Sequence, residues 1–195
     1  MKFLIINGAD KFAPSGGELN KWISEKLQTK LEANSHEVLL SNVEKEYSLD
    51  EEVNKWDESD VIIFHFPLWW MSMPSKAKLY FDNVLMHANF AHQKLWANDG
   101  RTRSNPDAKY GSGGLSQNKK YMIIVTMNAP KEAFSKEQFF GVSFEESLIS
   151  VHKMFQFLGI KPLKSLSIND VIKNPDIEKF SKELENHIDE MLNNL

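Results

Sequence analysis

Phe3–Ile6 is a short unbroken apolar run that ends at Asn7-Gly8, the pattern of a strand buried on both faces. A helix follows, because Leu19, Trp22, Ile23, Leu27 and Leu31 form one apolar stripe at helical spacing. Ser15-Gly16-Gly17-Glu18 fits a capping box at its start. His36–Leu40 reads as a second strand, and the polar stretch Asp50–Trp56 as a short helix or turn. Val61–Phe66 is a third strand, stopped by Pro67. Pro74–Leu85 predicts a helix with proline suited to its first position. Tyr121–Met127 is a fourth strand, and Phe144–Leu158 a helix with Gly159 as its left-handed stop. Leu163–Ile168 is a fifth strand. Asp176–Leu192 closes the chain with the stripe Ile177, Phe180, Leu184, Ile188 and Met191.

Strands and helices therefore alternate from end to end. Alternation of this kind predicts an α/β fold, a five-stranded parallel sheet with helices on both faces. No repeat or linker divides residues 1–195, so one domain is expected. Its one long polar segment is an insert at about 88–117, too long to be an ordinary connection.

Composition narrows the chemistry. The chain has 195 residues and no cysteine, which removes disulfides, thiolate nucleophiles and cysteine-held metals. A formal net charge of −4 disfavours nucleic acid as a partner. The apolar run near Met1 is shorter than a signal-peptide core, and no stretch is long enough to span a membrane, so a cytoplasmic protein without membrane insertion is expected.

In a sheet of this kind ligands bind beyond the carboxyl ends of the strands. Three segments fall there. Asn7–Asn20 is a small-residue loop entering a helix, whose first-turn amides suit an anion, with Lys11 and Ser15 able to add a charge and a hydroxyl. It is neither a Walker loop nor G-x-G-x-x-G, and an ordinary capped helix is the plainer alternative. Pro67-Leu68-Trp69-Trp70-Met71-Ser72-Met73-Pro74 places two adjacent tryptophans after a buried strand, where a flat aromatic ligand could lie on backbone amides and one indole. Packing plus a dimer interface is the alternative. Thr126-Met127-Asn128-Ala129-Pro130 can present amides to polar ring atoms. In the insert, Arg101, Arg103 and the glycine-rich 109–115 suggest a cover over an anionic ligand.

The histidines give no metal pattern. His87 and His92 are five apart with no carboxylate or cysteine spacing beside them, so no metal is expected. His65 is expected to face a neighbouring helix, and His152 and His187 to be surface or helix-face residues.

The segments NGADKFAPSGGELN (7–20), FPLWWMSMP (66–74), DGRTR (99–103), KYGSGGL (109–115), TMNAP (126–130) and NDVIKNPD (169–176) together resemble the modulator of drug activity B family, across nearly the whole chain. That resemblance implies a flavodoxin-like fold with strand order 2-1-3-4-5, FAD rather than FMN as cofactor, NAD(P)H as co-substrate, and a homodimer that reduces quinones by two electrons. It implies that Ser15, Gly16, Gly17, Glu18, Leu19, Asn20, Lys21 and Trp22 hold the FAD phosphates, with Lys11 nearby. Pro67, Leu68, Trp69 and Trp70 would contact the flavin ring, Thr126, Met127, Asn128 and Ala129 would border its polar edge, and Tyr110 would sit near the ring as the candidate catalytic residue. The more distant mammalian-type quinone reductases carry a Tyr and a His shortly after the fourth strand; this chain has no histidine between Met127 and His152. Hydride passing in and out at one pocket implies ping-pong kinetics. An FMN-dependent azo or nitro reductase, and a non-enzymatic electron carrier, are the alternative readings.

Overall fold

The computed structural model describes residues 1–11 and 15–195. Six parallel strand segments form one sheet: β1 (Lys2–Asn7), β2 (Glu37–Asn42), β3 (Val61–Pro67), β4 (Lys120–Thr126), β5 (Lys161–Pro162) and β6 (Leu166–Ile168). The order is β2-β1-β3-β4-β5, with β6 also paired to β4. The five-stranded parallel sheet of order 2-1-3-4-5 is therefore present, but its last strand is broken. Lys120 pairs with Lys161 and Ile124 with Leu166, so one extra residue is inserted on that edge. The insertion is a bulge. Glu145 holds it, its carboxylate accepting from the Ser165 amide and hydroxyl, each at 2.9 Å.

Alternation along the strands divides the core. Phe3, Ile5, Val61, Ile63, Met122 and Ile124 meet α1 (Glu18–Ala33) and α6 (Ile177–Asn193) on one face. Leu4, Ile6, Ile62, Phe64, Tyr121 and Ile123 meet α2 (Leu49–Glu58), α3 (Ser75–Phe90) and α5 (Ile149–Phe157) on the other, preceded by the single turn α4 (Phe144–Ser147). Both faces are covered, which is why the strand sequences run apolar instead of alternating with polar residues.

Three helix boundaries differ from the sequence reading. The capping box Ser15–Glu18 does not form: α1 starts at Glu18 itself, capped by Gly17 at φ 80 with no side-chain cap. The left-handed Gly17 sets the entry angle, so Glu18 occupies the first helical position, where it cannot reach back as a box requires. The helix expected over 144–158 breaks at Leu148, and its capping box is Ser143 with Glu146. Gly159 does end it in the left-handed region, at φ 86. The third helix runs on to Phe90, five residues past the expected end at Leu85.

The long insert is anchored at its base. Trp96 Nε1 donates to the Leu85 carbonyl at 2.8 Å, and the Leu115 amide to the Leu95 carbonyl at 2.9 Å. A Cβ on Gly114 would collide with the backbone of Leu158 and Gly159. The glycine-rich run is thus needed for the insert to dock on the end of α5, a packing role beside the ligand cover that composition suggested.

Candidate functional site

The three strand-end segments meet at Thr126, which bonds Asn20 of the first and Leu68 of the second. On the α1 face, the apolar row of β3 and β4 turns polar at its carboxyl end, with His65 and Thr126 fully or nearly buried. Asn20, in the first turn of α1, spans both: its Nδ2 donates to Thr126 Oγ1 at 3.1 Å, and its Oδ1 lies 3.0 Å from His65 Nδ1. Ser24 Oγ, one turn on, is 2.8 Å from His65 Nε2. Burial pushes the His65 pKa down to about 3, so the ring is neutral. A neutral ring then donates from Nδ1 to Asn20 and accepts from Ser24 at Nε2. His65 faces a neighbouring helix, as the sequence reading expects, and this polar cluster fixes α1's first turn against two strand ends.

The turn after β3 is the most strained part of the edge. Trp69 and Ser72 exchange backbone hydrogen bonds of 2.9 and 3.0 Å, closing a two-residue turn. Trp70 and Met71 inside it have φ of 46 and 63, left-handed values that glycine or asparagine ordinarily supplies. Each costs about 1–3 kcal/mol. Trp70 is 94% exposed, so no packing in the chain explains the strain. The amides of this turn are partly committed: Leu68 donates to the Thr126 carbonyl at 2.8 Å and Trp69 to Ser72. Pro67 has no N–H. Among the described residues, the donors left to face a ligand here are those of Trp70 and Met71, not of Pro67–Trp69 as a group.

The segment after β4 is braced from below. The Met127 amide donates to the Ile168 carbonyl at 2.9 Å, and Asn169 Nδ2 to the Ala129 carbonyl at 3.0 Å. The Met127 side chain lies in the core, so only its backbone can serve a site. Asn128 differs: its Oδ1 is buried with no hydrogen-bond partner among the described residues. An orphaned acceptor at a strand end is an unmet demand for a donor.

Charges around the first loop are paired. Lys11 Nζ lies 3.3 Å from Glu44, and Lys76, from the start of α3, lies 2.7 Å from Asp10. The second pair ties the first loop to the third helix, and nothing in the linear sequence marks it. Residues 12–14 of the loop lie outside the described residues. Glu18 folds its carboxylate over Gly16.

Tyr110 is placed elsewhere. Its ring packs 5.9 Å from Phe157 in a groove of about 820 Å3 between α3 and α5. Phe81, Leu85, Met86 and Trp96 line that groove, and no described residue of the three strand-end loops does. Arg101 donates from Nε to the Pro106 carbonyl at 2.9 Å and is exposed.

Two histidine expectations are corrected. His152 and His187 are buried, each at 8% exposure. His152 bridges Tyr121 Oη (2.7 Å) and Glu145 (2.9 Å), and burial pushes the Tyr121 pKa up to about 12. This chain sits at the amino end of β4, about 16 Å from the carboxyl end at the rise of a strand. It braces the sheet. The third difference concerns His87 and His92. Asp50, 37 residues before His87 in sequence, supplies the carboxylate their spacing lacks: its Oδ1 is 2.7 Å from His87 Nε2 and 2.8 Å from His92 Nε2.

A protein family described by its flavodoxin-like fold matches residues 1–193. NADPH:quinone oxidoreductase MdaB from Haemophilus influenzae is 36% identical over 98% of this chain and 99% of its own length. An NADPH-quinone reductase from P. pentosaceus superposes with a TM-score of 0.66 at 19% identity, covering 96% of this chain and 95% of its own. A general stress protein 14 from Treponema denticola, solved with FMN, has a TM-score of 0.62 at 14% identity over 98% and 95% of the two chains. At those identities the two structures speak for the fold alone. No helix of the described residues is long and apolar enough to cross a membrane.

Proposed function

The chain belongs to the flavodoxin-like family, and we propose that it is a flavin-dependent NAD(P)H:quinone oxidoreductase, carrying FAD and working as a homodimer in the cytoplasm. The observation that carries the flavin reading is Asn128. Its buried Oδ1 lacks a donor at the carboxyl edge of the sheet, beside a turn strained to hold Trp70 in the open. A ring with an N–H on its polar edge and a broad apolar face answers both. The quinone and NADPH come from the MdaB relative, which matches over nearly its full length.

A bound flavin supplies a centre that accepts a hydride from nicotinamide and passes it to a quinone. The chain's residues do the rest. The first-turn amides of α1, at Glu18, Leu19 and Asn20, would hold phosphate at the positive end of the helix. Glu18 must then swing off Gly16, since its charge would repel the phosphate. Trp70 presents an indole face for stacking, and the Trp70 and Met71 amides remain to polarise a ring oxygen. His65 is neutral and committed to Asn20 and Ser24, so it holds the scaffold instead of moving a proton. Protons for the hydroquinone would come from solvent, because Asp10 and Lys11 in the first loop are held in ion pairs with Lys76 and Glu44. Tyr110, in its groove beside α5, would serve a ligand only from that side. Leu79, Met86 and Ile149 are exposed on α3 and α5, apolar surface that a second copy would cover.

Initial rates test the reading. NADPH oxidation measured at several fixed menadione concentrations should give parallel double-reciprocal lines, the pattern of one shared pocket. Intersecting lines would remove the shared pocket, and NADPH oxidation indifferent to quinone would overturn the assigned activity. Faster turnover of azo dyes with FMN bound would favour the alternative enzyme.

A further inference from the structure

Asp50, His87 and His92 come from three different elements. Asp50 lies in the first turn of α2, His87 in the last turn of α3, and His92 in the first residues of the insert. Gln93, next to His92, is left-handed at φ 53, which turns the insert back over the end of α3. The two imidazole rings stand edge to face with centroids 5.1 Å apart. Both aim Nε2 at the same carboxylate oxygen, and all the ligand atoms lie within 4.8 Å of one another. The Asp50 side chain is 68% exposed and the two histidines about a third, so the cluster opens to water.

We propose that Asp50, His87 and His92 form a site for a divalent transition-metal ion of the Zn2+ type. Two imidazole nitrogens are borderline donors and the carboxylate oxygen a hard one, a mixed set that binds first-row transition ions well above Mg2+ or Ca2+. Zinc bonds of about 2.0–2.1 Å at tetrahedral angles separate ligand atoms by about 3.3 Å. The contacts of 2.7 and 2.8 Å to Asp50 thus need to open by about half an ångström, and the two Nε2 atoms, within 4.8 Å of one another, to take the same spacing, by rotations of part-exposed side chains. Water would fill the fourth position.

The position gives the ion a role. α2 and α3 already pack through Trp56, Tyr80 and Phe81 on the sheet. An ion here would pin the far end of α3, and the point where the insert leaves it, to the start of α2. It would be a staple on the segment that carries Tyr110 and Trp96, away from the strand-end loops. It is independent of the proposed redox activity: either can fail without the other.

The competing account of the same cluster is a pair of imidazoles hydrogen-bonded to Asp50 with no ion. Calorimetric titration of ZnCl2 into the untagged, chelator-stripped chain separates the two. One ion per chain should bind, and a hundredfold excess over Kd should raise Tm by about 5–10 °C. Asp50→Asn and His92→Ala should each weaken binding at least tenfold with unchanged circular dichroism. His36→Asn is the control, because His36 Nδ1 lies 3.4 Å from the terminal amine, a second pair able to chelate. Binding unchanged in both cluster variants, binding lost only in His36→Asn, or no saturable binding would each overturn the site and leave the hydrogen-bonded pair.

Discussion

Asn20 Nδ2 donates to Thr126 Oγ1 across 3.1 Å of space and 106 residues of sequence. The bond fixes the helix that opens the first loop to the end of the fourth strand. With His65 between them, it sets the spacing of two of the three loops at the proposed flavin site. Thr126→Val keeps the shape of the side chain and removes the acceptor. Leaving the buried Asn20 amide without a partner should cost about 1–3 kcal/mol, read as a lower urea midpoint at unchanged slope. Flavin affinity should fall as well. Unchanged stability would mean that Asn20 finds another acceptor.

His65 gives the fold an acid-sensitive component. Its pKa is about 3 in the folded chain against 6.5 when exposed. The unfolded chain therefore binds the proton first, and the stability contribution is fully present above about pH 6.5. It falls away as pH drops from there toward 3. Between pH 7 and 5 this one group should remove about 2 kcal/mol. His65→Gln should be less stable at pH 7 and show a flatter decline over that range. Identical slopes in the two proteins would contradict the assignment.

Glu52 is buried beneath α2 and fully used. It accepts from Ser41 Oγ, from Tyr80 Oη at 2.6 Å and from Lys55 Nζ at 2.6 Å. Burial, then the Glu52 charge, raises the Tyr80 pKa well above its usual value. Glu52→Ala would strand the Ser41 and Tyr80 hydroxyls, while Lys55 Nζ keeps the Leu40 carbonyl at 2.9 Å, and should cost about 1–3 kcal/mol. Glu52→Gln, which keeps two acceptor or donor positions, should cost less. A loss below 1 kcal/mol by thermal or denaturant unfolding would show that water replaces the carboxylate.

Trp70 should separate activity from stability. Because its ring is exposed and its backbone left-handed, Trp70→Gly should leave Tm unchanged or raise it, by up to about 1 kcal/mol in stability. Quinone turnover should fall at least tenfold, the trade expected of a strained functional residue. A drop of several degrees with intact kinetics would return Trp70 to a packing role.

Much of the fold was legible because hydropathy period and burial coincide in it. The apolar runs at Phe3, Val61 and Tyr121 mark the doubly covered strands, and the three strand-end segments follow from parallel topology. What escaped has local causes. The bulge at Leu163–Ser165 adds one residue without changing the apolar pattern. Ser15–Glu18 matches a capping box in letters, but Gly17 takes the cap. The strained turn at Trp70 has no glycine to announce it, and its strain is visible only in φ. The meeting of Asp50 with His87 and His92 depends on α2 and α3 packing side by side, which no spacing along the chain encodes. Tyr110 lies in a motif that the resemblance ties to the flavin, yet the backbone of the insert lays it against Phe157.

The measurement closest to the central claim is the visible spectrum of the purified chain, followed by extraction and identification of any flavin. NADPH is then added without oxygen, and menadione after it. Bound FAD that bleaches with NADPH and regains its colour with menadione is the expected result. A colourless protein that takes up neither FAD nor FMN would contradict the proposed site, leaving the sheet intact and the three loops in need of another ligand.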